Sequence, residues 1–524
     1  MCIPQHLGRL SALCRASRHV WTYPKENIFH KSQGDARSEG KQRYVEDHTT
    51  AAADKVRCKK CEAAQHTLVT LVRHCVILKN MEPRIIPRKE HRISRKQISP
   101  NALRTLYRLH SRGFIAYLVG GCVRDLLMGR TPKDFDIATN ATPSQIRRLF
   151  RNCRLIGRRF RLAHLHFQSE ILEVSTFRGV ALPSDDIDME EANHTKRVFH
   201  RIKDKDGMVV RDNVFGTPEE DALCRDFTIN ALAYNIADFS VIDYSTGLSD
   251  LQQGLIRPIG DPYVRFTEDP VRMLRAVRFA ASHDLVIEPA TWEILCQLSS
   301  AISRVPPARI YEEIQKVFLL GSAGPSFNLL DKSGLLSALF PGLSRWMYQN
   351  NDRPAILRAN LEYLDQLYRN GISPSPVLFL AALFGPSLEE EVIANHRDGI
   401  PREQALNATY AVFMKEICKT ASVPGRVGKQ LLAILALQPS LRRMPPRHPS
   451  SIAAKPEFPD ALAYFHLRPG TKRRHRTSPE WWDAFLLENP SATLSEPAAE
   501  EVPRPPKRRR KRRRRHRNTA QTIV

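Results

Sequence analysis

Two aspartates stand two residues apart, Asp134 and Asp136, near the end of the stretch GGCVRDLLMGRTPKDFDIATN, residues 120–140. On an extended strand alternate side chains share a face, so both carboxylates are expected to point the same way, with Phe135 turned into the core. Carboxylates that converge repel one another unless a cation lies between them. Mg²⁺ fits this role, because it takes one or two carboxylates and completes its shell with substrate phosphates. Just upstream, Gly120 and Gly121 let the backbone approach a ligand closely. A helix starting near Val123 aims its first N–H groups outward, which makes a seat for phosphate. Arg124 at that helix start carries a guanidinium within reach of phosphate oxygens. Together these parts suit nucleotidyl transfer with Mg²⁺ and a nucleoside triphosphate. The plainer alternative is a hairpin with a polar edge.

Two further clusters extend the candidate site. In EEDALCRDFTINALAY, Asp226 precedes an expected strand with Arg225 beside it, and a third carboxylate would orient metal or take the hydroxyl proton. Glu173 in EILEVSTFR competes for the same role, and the sequence leaves the choice open. In EDPVRMLRAVRF, Arg272, Arg275 and Arg278 recur every third residue and form a steep stripe on a helix, with Asp269 near its N-terminus. Such arginines are ordinarily a solvated face. Turned to a cleft, they contact triphosphate, and an Asp–Arg pair can hydrogen-bond a base edge.

The elements that must position these residues follow from periodicity. Residues 96–255 alternate helical and strand-like runs. NALRTLYRLHSRG is a helix with Leu103, Leu106, Tyr107 and Leu109 near one face. FIAYLVGG, DFDIAT, EILEVSTF, FTINALAYNI and SVIDY are strands, and TPSQIRRLF is a helix capped by Thr142 with Pro143 in its first turn. An α+β head with a mixed or antiparallel sheet is expected. From about residue 256 the period turns helical, giving a neck over 256–325 and a second helical region over 326–488, punctuated by prolines. Residues 1–95 read as an irregular extension, and the coherent pattern begins shortly after Met81, a candidate start. Residues 489–524 read as a disordered tail rich in Arg and Lys.

Composition sets the outer bounds. The chain has 524 residues, too many for a single ordinary core, and a net charge of +25. Residues 504–517 hold eleven Lys and Arg and no acid, which leaves +14 on the remainder, so the body is basic on its own account. A polyanion such as nucleic acid is the expected partner. The apolar run VLFLAALF, residues 377–384, is too short to span a bilayer, so no membrane role is expected. The ten cysteines form no framework pattern, which fits a reducing compartment and a cytoplasmic setting. CKKC at Cys58–Cys61, with His66, His74 and Cys75 downstream, matches no standard zinc finger spacing.

The motifs LVGGCVRDLLMG, PKDFDIATNATP, RDFTINALAY and EDPVRMLRAVRFA resemble those of the class II nucleotidyltransferases, the group of bacterial poly(A) polymerases and CCA-adding tRNA enzymes. The resemblance runs from about Ile85 to about Leu320 and continues more weakly to about Trp482. LIGRRFRLAHLHF, EVSTFRG, RDNVFGTPEEDA and the long basic C-terminus resemble the poly(A) branch, whereas residues 180–206 are longer and more acidic than that family's loop. The resemblance implies a nucleotidyltransferase head, template-independent addition of AMP from ATP to RNA 3′ ends, and dependence on Mg²⁺. By the same resemblance Asp134 and Asp136 bind metal and Asp226 completes the catalytic set. Gly120, Gly121 and Arg124 hold the triphosphate, and Arg225, Asp269, Arg272, Arg275 and Arg278 line the nucleotide pocket. CCA addition and a non-catalytic RNA-binding role on the same fold are the rival readings.

Overall fold

A computed structural model describes residues 82–157, 162–168, 170–179, 202–203, 209–211, 215–467 and 477–490. The CKKC stretch, most of the acidic loop over 180–206 and the basic tail lie outside these residues. The head is built on an eight-stranded sheet with the order β1-β10-β9-β2-β3-β6-β5-β4. Its strands are β1 Arg84–Ile86, β2 Ala116–Val119, β3 Asp136–Thr139, β4 Cys153–Ile156, β5 Leu162–His166, β6 Ile171–Thr176, β9 Leu232–Asn235 and β10 Val241–Asp243. All neighbours pair antiparallel except β3 and β6, which run parallel. The short strands β7 Ile202–Lys203 and β8 Val209–Arg211 form a separate pair.

Several boundaries differ from the sequence reading. The sheet begins earlier than residue 96, because Ile86 packs into the head core and β1 completes the edge beside β10. Asp134 precedes β3, which starts at Asp136. The segment Thr228–Asn230 is a 3₁₀ turn, and the strand starts only at Leu232. On α1, Pro100–His110, Leu106 and Leu109 are buried as expected, whereas Tyr107 is 40% exposed and Thr105 takes the inward position. The helix α2, Gly121–Met128, starts two residues before Val123, with Gly120 as its N-cap. Thr142 caps α3, Pro143–Leu149, through a reciprocal pair of bonds with Gln145.

The two sheet faces have different cores. Ile137, Val174, Leu232 and Tyr234 belong to the larger cluster under α1 and α2. Val119, Ala138, Phe177 and Ala233 belong to a smaller one on the opposite face. Asp136 alternates with Ile137, so it lies on the face of Ala138. After α4, Pro218–Cys224, and α5, Gly247–Gln253, come the short strand β11, Leu255–Ile256, and the helix α6, Pro262–Glu268. The next helix, α7, Val271–His283, is followed by β12, Val286–Ile287, which pairs with β11, then by α8, Pro289–Leu298, and α9, Pro307–Phe318. One apolar cluster runs from Phe227 and Phe266 through these helices to Trp482, across the boundary placed at 325/326. Trp482 is fully buried and donates its indole N–H to the Leu441 carbonyl at 3.1 Å.

Candidate active site

The carboxylates gather where β3 meets β6. Asp136 and Glu173 are register partners in that parallel ladder, which puts both side chains on one face. The Asp136 carboxyl is pushed up to about 6, by burial first, then by Glu173 and by Asp134, with Arg225 acting the other way. Asp134 is exposed and Glu173 is half-exposed, with the His164 imidazole 3.3 Å from one Glu173 oxygen. A cation would relieve this mutual repulsion of acids, so the donors fit a hard divalent ion. Among the described residues no group of three His, Cys, Asp or Glu forms a metal cage unaided. A Mg²⁺ site of this type draws its remaining ligands from water and substrate phosphate.

Gly120 sits at φ +77°, a backbone conformation that side chains resist, and a β-carbon there would lie 2.7 Å from Nη1 of Arg225. Arg225 is fixed by Asp221, whose carboxylate accepts from Nη2 at 2.9 Å. Burial alone would raise the Asp221 carboxyl, but Arg225 and Arg178 bring it down to about 2. Arg124 is placed differently from the sequence reading. Its guanidinium is nearly buried, donates to Asn230 and Asp125 at 2.8 Å each, and lies 5.0 Å above the Phe279 ring. A guanidinium taken out of water needs full pairing, so Arg124 braces the glycine turn instead of opening to phosphate.

Asp226 is tied to α7. It receives Arg275 through Nε at 2.7 Å and Nη2 at 2.6 Å, and the Asn230 amide at 3.0 Å. Burial works against its charge, yet Arg275 and Asn230 hold its carboxyl well below the ordinary range. The stripe of three arginines is real, but two members are absorbed by local acids. Arg272 reaches Glu268 at 3.5 Å and the Arg265 carbonyl at 2.8 Å, and Arg278 reaches Glu313 at 2.6 Å. Asp269 pairs with Arg309 through two bonds, at 3.2 and 2.9 Å, rather than with Arg272. Phe279 ties the stripe to the head: Arg124, Arg275 and Arg278 all stack on its ring.

With this geometry in view, the chain matches three families in succession. Residues 116–257 match the family described as "Poly A polymerase head domain", 284–347 "Probable RNA and SrmB- binding site of polymerase A", and 398–518 "Polymerase A arginine-rich C-terminus". Poly(A) polymerase I of Escherichia coli O6:H1 is 41% identical over 428 residues, covering 80% of this chain and 90% of the relative. The chain belongs to the bacterial poly(A) polymerase I family. That membership makes it a nucleotidyltransferase of the poly(A)-adding branch. The Haemophilus influenzae poly(A) polymerase I is 36% identical, over 77% of this chain and 88% of its own length. A CC-adding tRNA nucleotidyltransferase of Halalkalibacterium halodurans is 34% identical over only 45% of this chain and 52% of its own, so the poly(A) reading is favoured over the CCA rival. A crystal structure of a Bacillus stearothermophilus CCA-adding enzyme in complex with CTP shares the fold, with a TM-score of 0.50 at 24% identity, covering 75% of this chain and 82% of that one.

Three residues that hold this candidate site together escaped the sequence reading. Asp221 stands four residues before Arg225, and Asn230 four after Asp226. Both spacings were visible, though nothing local marked the side chains as turned toward each other. Arg309 lies 40 residues beyond Asp269 and carries no local signal at all. No described helix is long and apolar enough to cross a membrane.

Proposed function

We propose that Asp134 and Asp136 hold Mg²⁺ for template-independent transfer of AMP from ATP to RNA 3′ ends. The observation that carries this reading is the Asp136 carboxyl pushed up to about 6 beside Glu173 and Asp134, an arrangement that a bound cation neutralises. When bound, the ion supplies Lewis-acid polarisation of the α-phosphate and eases ionisation of the attacking 3′-hydroxyl. The hydroxyl attacks in line and pyrophosphate leaves. Glu173, not Asp226, serves as the third carboxylate in this reading, because it partners Asp136 in the ladder whereas Asp226 is spent on Arg275 and Asn230.

The other residues act by position. Gly120 and Gly121 bring the turn's amides against the triphosphate, and Arg225 stands between that turn and Asp136, where its charge meets an incoming phosphate. Arg124 keeps the turn rigid from beneath. Arg275 and Asp226 join the head to α7, so that the helix carrying Arg272 and Arg278, with Asp269 just before it, is held beside the sheet. ATP and RNA are the substrates, and the basic body favours RNA phosphates. The described cysteines Cys122, Cys153, Cys224, Cys296 and Cys418 form no disulfide, which supports a reducing, cytoplasmic setting.

The test is incubation of the full chain with one unstructured RNA, Mg²⁺ and each nucleoside triphosphate alone. Long tails from ATP only are the expected result. In a parallel incubation with a tRNA lacking its CCA end, addition of C residues from CTP, without A tails on the unstructured RNA, would replace this reading by CCA addition.

A further inference from the structure

On the sheet face opposite Asp136 a pocket opens, with a volume of about 560 Å³. Its walls come from the segment before α1, from α1 itself and from the tip of the β9–β10 hairpin. Arg88, Arg95 and Lys96 line it together with Tyr107, Tyr234 and Phe239. Tyr234 packs with Ile137 in the larger head core, whereas Asp136 faces the other way, so the sheet separates this pocket from the carboxylates.

Several features of this pocket lack a structural explanation. Its three cations make no ion pair with any described residue, although exposed cations this close repel each other. Arg95 lies 4.6 Å over the Phe239 ring and donates to the Tyr107 hydroxyl at 3.0 Å, which fixes the guanidinium at the pocket wall. Phe239 holds φ +62°, a strained value for an aromatic residue, and its carbonyl is pinned by the His91 imidazole at 2.8 Å. Most telling is Tyr234. Its side chain is fully buried, yet its hydroxyl has no hydrogen-bond partner. A buried hydroxyl without a partner costs free energy, and Tyr234 lies in the wall of this cavity, with Arg88 and Arg95 as its neighbouring charges.

We propose that this pocket binds one nucleotide unit, its phosphate against Arg88, Arg95 and Lys96, its ring against the aromatic wall, and the Tyr234 hydroxyl bonding to it. Cations beside the exposed Tyr107 ring and the partly exposed Phe239 ring suit the alternating phosphate and base of single-stranded nucleic acid, and suit a free mononucleotide equally. The site is distinct from the one that performs AMP transfer and does not depend on that assignment.

The experiment measures equilibrium binding to the full chain carrying Asp136→Asn, with AMP in one arm and a short single-stranded oligoadenylate in the other. Two pocket variants are compared, Tyr234→Phe and the triple Arg88→Ala/Arg95→Ala/Lys96→Ala. The control triple Arg147→Ala/Arg148→Ala/Arg151→Ala removes the same charge elsewhere on the head. Tyr234→Phe is expected to weaken binding about fivefold, without lowering Tm, because it deletes an unpartnered hydroxyl. The pocket triple is expected to weaken it about tenfold or more. Loss in the AMP arm identifies a free nucleotide as ligand, and loss in the oligoadenylate arm alone identifies the RNA strand. Unchanged binding in both arms, or an equal loss in the control triple, overturns the proposal.

Discussion

Asp136 and Glu173 stand directly opposite each other in the one parallel ladder of the head sheet. Burial, and after it the Glu173 carboxylate on the same face, push the Asp136 carboxyl up to about 6. Because the folded value exceeds the unfolded one, protonation favours the native state. Its contribution is fully present below the unfolded value and is lost as pH rises through about 6. Without divalent ions, the stability difference between wild type and Asp136→Asn should therefore change over that window, with the wild type losing no more than about 3 kcal/mol relative to the variant. Mg²⁺ should restore stability to the wild type above that window and not below it. Thermal unfolding of both proteins across the range, with and without Mg²⁺, reads this directly.

The two candidates for third carboxylate should separate by what fails. Glu173 is half-exposed, so Glu173→Gln should leave folding intact and lower kcat about 100-fold. Asp226 is mostly buried against Arg275, and Asp226→Ala strands that guanidinium and the Asn230 amide, so it should cost about 2–3 kcal/mol of stability. Denaturant titration and single-turnover kinetics on both variants decide it. A stable Asp226→Ala protein with a large kcat defect would return the role to Asp226.

Much of the head was legible because its signals are local. The Thr142 cap, the glycine turn and the alternation around Ile137 each depend on a few adjacent residues, and the structure places them as the periodicity indicates. The start of β3 and the 3₁₀ turn at Thr228–Asn230 were misread, since a strand-like composition does not fix where pairing begins. The roles of charged side chains were the least legible. Arg124 looks like a phosphate ligand in sequence and is nearly buried on Asn230 and Asp125 in space. Asp269 chooses Arg309 over the nearer Arg272, because tertiary packing of α9 on α7 delivers a bidentate partner that spacing along one helix does not.

That last pair leads to a further expectation. Arg309 is 37% exposed and its bond to Asp269 is worth little to folding, so Arg309→Ala should move Tm only slightly. It should instead remove the bidentate hold on the Asp269 carboxylate, which is proposed to line the nucleotide pocket, and raise KM for ATP about fivefold to tenfold, with kcat less affected. Initial-rate kinetics over an ATP series, beside a melting curve, checks both halves.

Gly120 offers a test of the phosphate seat. Its φ of +77° strains any side chain, and an added β-carbon, 2.7 Å from Nη1 of Arg225, would push that guanidinium aside. Gly120→Ala should cost about 1–3 kcal/mol in backbone strain. It should also displace Arg225, reducing AMP incorporation well beyond that loss of stability, as measured at a temperature where the variant remains folded.

The most direct measurement is AMP incorporation by Asp134→Ala/Asp136→Ala, alongside its RNA affinity by filter binding. The account predicts that incorporation disappears at every Mg²⁺ concentration while RNA binding stays close to wild type. Incorporation that survives in the double variant would contradict it.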